Sequence, residues 1–124
     1  MGIDRLLDEA RRKLDRLGPE EAERALRDGA VLIDIRAESQ RAADGVIPGS
    51  TFVPRNVLEW RLDPTSPSRD SALARSDVTI IVMCDEGYQS SLAAATLQDL
   101  GLPLATDMVG GFQAWRAAGL PVER

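Results

Sequence analysis

Val78-Thr79-Ile80-Ile81-Val82-Met83-Cys84-Asp85-Glu86-Gly87-Tyr88-Gln89-Ser90 is the stretch on which the fold turns. Its first six residues are apolar or β-branched, the pattern of a strand buried on both faces. The residues after Met83 are polar and include a glycine, so the strand ends there. From about Ser90 to Leu100 the sequence favours a helix, which Gly101 and Pro103 bring to a close. A strand passing through a short loop into a helix is the repeating step of an α/β domain.

The same alternation extends outward in both directions. Upstream, Val31-Leu32-Ile33-Asp34-Ile35 predicts a second buried parallel strand. A helical turn over Glu38 to Ala43 follows it. The turn-rich segment Gly45 to Ser50 leads into a strand at Thr51-Phe52-Val53. Asn56 is placed to cap a short helix from Val57 to Leu62, and residues 63–71 read as a loop. Downstream, Ala105 to Val109 predicts a strand, and Gly110-Gly111 precedes a last helix, Phe112 to Ala118. At the N-terminus, Ile3, Leu6, Leu7, Ala10, Leu14 and Leu17 share one face of a helix over 4–17, stopped by Gly18. Pro19 opens a further helix to Asp28-Gly29, with Glu20, Glu21 and Glu23 at its positive end. The order α-α-β-α-β-α-β-α-β-α predicts an α/β fold with a mainly parallel central sheet flanked by helices on both faces. A length of 124 residues fits one domain over 1–124, with 1–18 as a helical extension and 19–124 as the core.

Composition narrows the function. The chain has no histidine, which removes Cys-His dyads, Ser-His-Asp triads and histidine-containing zinc sites together. It has a single cysteine, so no internal disulfide, Cys-x-x-Cys pair or resolving thiol exists. A lone free thiol fits a reducing compartment. The net charge of -5 and the absence of a basic stripe argue against nucleic acid and anionic membrane as partners. Met1 to Leu17 lacks the apolar core of a signal peptide, and no segment is apolar enough to span a bilayer. The expected location is the cytoplasm.

Cys84 stands where a strand gives way to a loop and then a helix, the edge at which open α/β sheets bind ligands. A short loop curling into a helix can aim several backbone N–H groups at one centre, which holds an anion and stabilises a thiolate. Gly87 permits the backbone angles of such a curl. Position alone also allows the opposite reading, in which Cys84 is a small buried hydrophobe.

At these residues the sequence resembles the rhodanese family over roughly residues 19 to 122. Asp34-Ile35-Arg36 is similar to its Asp-x-Arg motif. Gly45-Val46-Ile47-Pro48-Gly49-Ser50 is similar to its Gly-His-Ile-Pro-Gly-Ala motif, and Val53-Pro54 to the strand end that follows. The loop Cys84 to Ser90 resembles the Cys-x-x-Gly-x-Arg-Ser active-site loop. Gly110-Gly111-Phe112-Gln113-Ala114-Trp115 with Gly119-Leu120-Pro121-Val122 resembles the C-terminal signature. The resemblance implies a sulfurtransferase in which Cys84 takes a sulfane sulfur as a persulfide. The donor would be thiosulfate or a persulfide, small or protein-borne, and the acceptor a thiol or cyanide. It implies a pocket formed by the backbone of Asp85, Glu86, Gly87, Tyr88, Gln89 and Ser90, and no metal or organic cofactor.

The departures from the family pattern concern charge. Asp85 and Gln89 stand where the family loop carries arginines, and Glu86 adds a second carboxylate. At about 6 Å and an effective dielectric near 20, each carboxylate facing a thiolate costs roughly 3 kcal/mol before screening. Such a loop suits a donor less anionic than thiosulfate, unless Asp85 and Glu86 face solvent, the orientation favoured for Glu86. Asp34 and Arg36 can orient the loop or, as favoured, form a structural pair at the mouth of the first strand. Arg55 reaches the same face as Cys84 and can supply cationic charge, with Arg61 a weaker candidate. Trp60 either lines the pocket or packs under the long loop, Trp115 belongs to the core, and Tyr88 sits at the rim or in solvent. Ser90 and Ser91 are expected to cap the helix after the loop, Ser90 also donating to a bound anion. The N-terminal helix is either a cap on the sheet or a dimerisation element. Three rival functions remain. A phosphatase lacks its arginine here, a sulfenic-acid sensor lacks its resolving thiol, and a non-catalytic binding module has no need of a cysteine.

Overall fold

Side chains alternate across a strand, and in this chain the alternation sorts the whole core into two layers. Ile33, Ile35, Ile80, Val82 and Cys84 face one way, against Leu58, Leu62, Ala93, Ala94 and Leu97. Leu32, Ile81 and Met83 face the other way, against Ala22, Phe112 and Trp115. A strand covered on both sides favours apolar residues at every position that lacks a buried polar partner. Residues 80 to 83, all 0% exposed, are apolar for that reason. Each large apolar side chain buried in this way contributes about 1.5–3 kcal/mol.

The computed structural model describes residues 2–124, so of the N-terminal extension only Met1 lies outside the described residues. The elements are α1 (Ile3–Arg12), α2 (Pro19–Arg27), β1 (Val31–Asp34), α3 (Glu38–Asp44), β2 (Thr51–Phe52), α4 (Leu58–Leu62), β3 (Ile80–Met83), α5 (Gln89–Asp99), β4 (Ala105–Asp107) and α6 (Gly111–Ala117). The four strands are parallel in the order β2-β1-β3-β4. The path moves outward from β1 to β2 and then returns to β3 on the other side of β1. That reversal opens a crevice beyond the C-terminal ends of β1 and β3. The sequence expectation of a parallel sheet with helices on both faces is met.

Three local expectations are corrected. The first helix ends at Arg12 and not at Leu17. Leu14 is still buried, so a turn satisfies the apolar periodicity as well as a helix would. Leu17 then pairs with Met108 beside β4, its N–H donating to the Asp107 carbonyl (3.1 Å) and its carbonyl accepting from Val109 N–H (2.8 Å). This covers the open edge of the sheet, and backbone pairing outbids further helix. Asn56 caps nothing: it lies exposed in a 3₁₀ turn, Arg55–Val57, ahead of α4. Ser90 and Ser91 lie inside α5 and do not cap it, since Tyr88 occupies the N-cap position. Their hydroxyls have a buried acceptor on β4 instead. No helix among the described residues is long and apolar enough to cross a membrane.

Candidate active site

The loop after β3 is shaped from behind by the start of α6. Phe112 N–H donates to the Cys84 carbonyl (2.9 Å) and Gln113 N–H to the Asp85 carbonyl (3.1 Å). This contact needs the Gly110-Gly111 pair. A Cβ at Gly111 (φ +59°) would stand 2.4 Å from the Cys84 carbonyl oxygen. Gly87 is equally constrained, with φ +86° and room for a Cβ only 2.8 Å from Gly110 N. A side chain at either position would push the loop off α6. With those carbonyls turned outward, loop N–H groups turn inward. Gly87 N–H (3.2 Å) and Ser90 N–H (3.4 Å) both donate to Cys84 Sγ. This is the curled cradle expected of an anion-holding loop.

Cys84 lines a cavity of about 580 Å³ formed beyond the ends of β1, β2 and β3. The sulfur therefore belongs to the core on one side and to a pocket on the other. Ile35, Phe52 and Pro54 give the cavity apolar walls, and Glu38, Asp85 and Glu86 give it acidic ones. Asp85 is half-buried and accepts Gln113 Nε2 on Oδ1 (2.9 Å). Glu86 and Gln89 line the cavity but are exposed, and Tyr88 stands exposed at its rim. Ser90 contributes its backbone N–H, whereas its hydroxyl donates away from the cavity to Asp107 Oδ2 (2.8 Å).

Asp34 and Arg36 form a buried hub. Arg36 spans both oxygens of Asp34 (3.1 and 2.9 Å), donates to the Gly45 carbonyl (2.8 Å) and stacks on the Phe112 ring at 3.8 Å. Both side chains are fully buried, and Arg36 also lines the cavity, its buried Nη1 having no hydrogen-bond partner. Arg55 does line the cavity. Its Nη1 spans both oxygens of Glu59 (2.8 and 3.0 Å), while its buried Nε has no partner. Arg61 lies exposed, near the Ser68 carbonyl. Trp60 is 60% exposed and neither lines the cavity nor packs under the long loop, while Trp115 is buried and donates to the Pro121 carbonyl (2.9 Å).

Sequence reasoning missed a second hub behind the loop. Asp107, fully buried at the end of β4, accepts Arg16 Nε (2.8 Å) and Nη2 (3.2 Å) and the hydroxyls of Ser90 (2.8 Å) and Ser91 (2.7 Å). Arg11 and Arg16 both donate to the Gly87 carbonyl, at 2.7 and 3.0 Å. One signal was available: a buried strand ending in an aspartate requires counter-charge. Nothing local to Asp107 indicated that the N-terminal extension supplies it.

The arrangement presents a thiol, held by backbone donors, to a cavity able to take a small molecule or a side chain from a partner. A family model for the rhodanese-like domain matches residues 18–118. The thiosulfate sulfurtransferase GlpE of Pseudomonas savastanoi is 34% identical over 102 residues, spanning 82% of this chain and 87% of that protein. A sulfurtransferase of Allochromatium vinosum is 28% identical over 92 residues, 74% of this chain and 77% of that one. Among solved structures, a protein of unknown function from Rhodopseudomonas palustris, described as a possible tyrosine phosphatase, superposes with a TM-score of 0.91. It has 38% identity and covers 99% of this chain and 95% of its own.

Proposed function

This chain belongs to the rhodanese-like domain family, and from that premise we propose that it is a sulfurtransferase carrying sulfane sulfur as a persulfide on Cys84. The observation that supports this best is the pair of loop N–H groups on Cys84 Sγ at the wall of an open cavity. In the first half-reaction the Cys84 thiolate attacks the outer sulfur of the donor. The donor's S–S bond breaks, its electron pair leaves with a thiolate or with sulfite, and Cys84 becomes a persulfide anion. In the second half, an acceptor thiolate or cyanide attacks that outer sulfur and returns Cys84 as the thiolate. Each half exchanges one S–S bond or ends in thiocyanate. No external oxidant or reductant is needed. Splitting the transfer in two lowers each barrier. The inward N–H groups of Gly87 and Ser90 hold the anionic sulfur in the interval. A single free thiol suits the reducing cytoplasm.

The cavity's charge supports a persulfide donor over thiosulfate. Glu38, Asp85 and Glu86 border it, and Arg55 shares its charge with Glu59. A dianion entering this cavity meets net repulsion, weakened at exposed Glu86 by solvent. The loop also lacks an arginine or lysine, which disfavours a phosphatase reading, since phosphate cradles rely on such groups.

The test is thiocyanate production with cyanide as acceptor, using thiosulfate and then a low-molecular-weight persulfide. Wild type is expected to turn over both, with the higher kcat/KM for the persulfide, and Cys84→Ser neither. Equal turnover by Cys84→Ser would refute the role of the thiol. No turnover with either donor would move the protein to the class of non-catalytic binding modules.

A further inference from the structure

We infer that the N-terminal helix is part of the reactive apparatus: Arg11 holds the Cys84 loop from behind and supplies the positive charge that the loop's own sequence lacks. This rests on the reading of Cys84 as the nucleophile. Helix α1 packs along α5. From it, half-buried Arg11 reaches the loop, Nη2 donating to the Gly87 carbonyl at 2.7 Å and Nε to Ser91 Oγ at 3.0 Å. Its guanidinium also stands 5.5 Å from the centre of the Tyr88 ring. Arg16 meets the same carbonyl but is neutralised by both oxygens of Asp107. No ion pair among the described residues involves Arg11. Its charge is therefore available to the loop.

Gly87 is the link between this cation and the sulfur. Its N–H donates to Cys84 Sγ while its carbonyl accepts Arg11. By backbone dimensions the guanidinium lies within roughly 10 Å of Sγ. The other charged groups around Cys84 are Glu38, Asp85 and Glu86 on the cavity side, Arg36 on the same side and paired with Asp34, which Arg41 shares, Arg55 paired with Glu59, and Asp107 with Arg16. On the cavity side carboxylates prevail. Behind the loop, Arg11 pairs directly with no carboxylate and reaches Asp107 only through Ser91 Oγ. The family loop places arginines beside its cysteine, whereas this chain brings one from 76 residues away.

Arg11 is a positioning residue, so its test must separate thiolate chemistry from folding. The test is the pH–rate profile of Cys84 alkylation by iodoacetamide, a neutral reagent, on the full chain, with folding followed by circular dichroism. R11Q is expected to alkylate about fivefold more slowly at neutral pH. Arg11→Lys keeps the charge and is expected to stay within about twofold of wild type. A wild-type profile in R11Q would overturn the inference, as would an R11Q chain that fails to fold while Arg11→Lys both folds and loses reactivity. The assay contains no sulfur donor, so failure of sulfur transfer and failure of this inference give separate results.

Discussion

Two strands of the sheet end in a fully buried aspartate, and the two residues solve the same problem in opposite ways. Asp34, at the end of β1, accepts four hydrogen bonds: three from Arg36 and one from Arg41. Asp107, at the end of β4, also accepts four, from Arg16 twice, Ser90 and Ser91. A carboxylate taken out of water needs this full set of partners. Asp34 draws on neighbours two and seven residues along the chain, and it closes the mouth of its own strand. Asp107 draws on Arg16, in the segment between α1 and α2, and on α5, and it ties both to the loop that carries Cys84. One hub is local and structural. The other is assembled from three distant segments and touches the site. Burial and counter-charge therefore do not make a residue functional. Its connection to the reacting atom does.

Substitutions separate the two hubs, and the largest effect is expected at Asp34. Asp34→Ala leaves fully buried Arg36 without its counter-charge and costs about 3–5 kcal/mol, read by urea unfolding. Cys84 alkylation in the folded protein is expected to be unchanged. Asp107→Ala is expected to cost less, about 2–3 kcal/mol, because Arg16 is 17% exposed and turns to water. It is expected to slow Cys84 alkylation severalfold, since Arg16, which also holds the Gly87 carbonyl, loses its anchor. Equal reactivity losses in the two variants would erase the distinction between the hubs. Ser90→Ala gives the smallest effect, about 1 kcal/mol in unfolding, with alkylation unchanged because the backbone N–H remains. A reactivity loss as large as that of Asp107→Ala would transfer the role from the carboxylate to the hydroxyl.

The same contrast explains what could be read from the sequence. Asp34-Ile35-Arg36 is visible as a pair because two residues along an extended chain leave the arginine able to fold back. The Cys84 loop is visible because an uninterrupted apolar strand, a glycine and a helix follow one another directly. Gly110-Gly111 is visible as a motif, and the structure supplies its reason in the close approach of α6 to the loop. Arg11 and Arg16 look like solvated positions of one amphipathic helix, and only the docking of α1 and the pairing of the segment after it with β4 turn them toward Gly87. Ser90 and Ser91 read as caps because an acceptor on β4 cannot be inferred from α5. The overrun of the first helix has the same origin. Leu14 and Leu17 keep helical spacing, but the exposed edge of β4 claims Leu17 for backbone pairing.

Cys84 as the carrier of sulfur is tested most directly by intact-protein mass spectrometry. Wild type and Cys84→Ser would each be incubated with a low-molecular-weight persulfide and with thiosulfate, then desalted and weighed. The account predicts that wild type gains the mass of one sulfur atom, more completely from the persulfide, and that Cys84→Ser gains none. A gain in Cys84→Ser, or none in wild type with either donor, would contradict it.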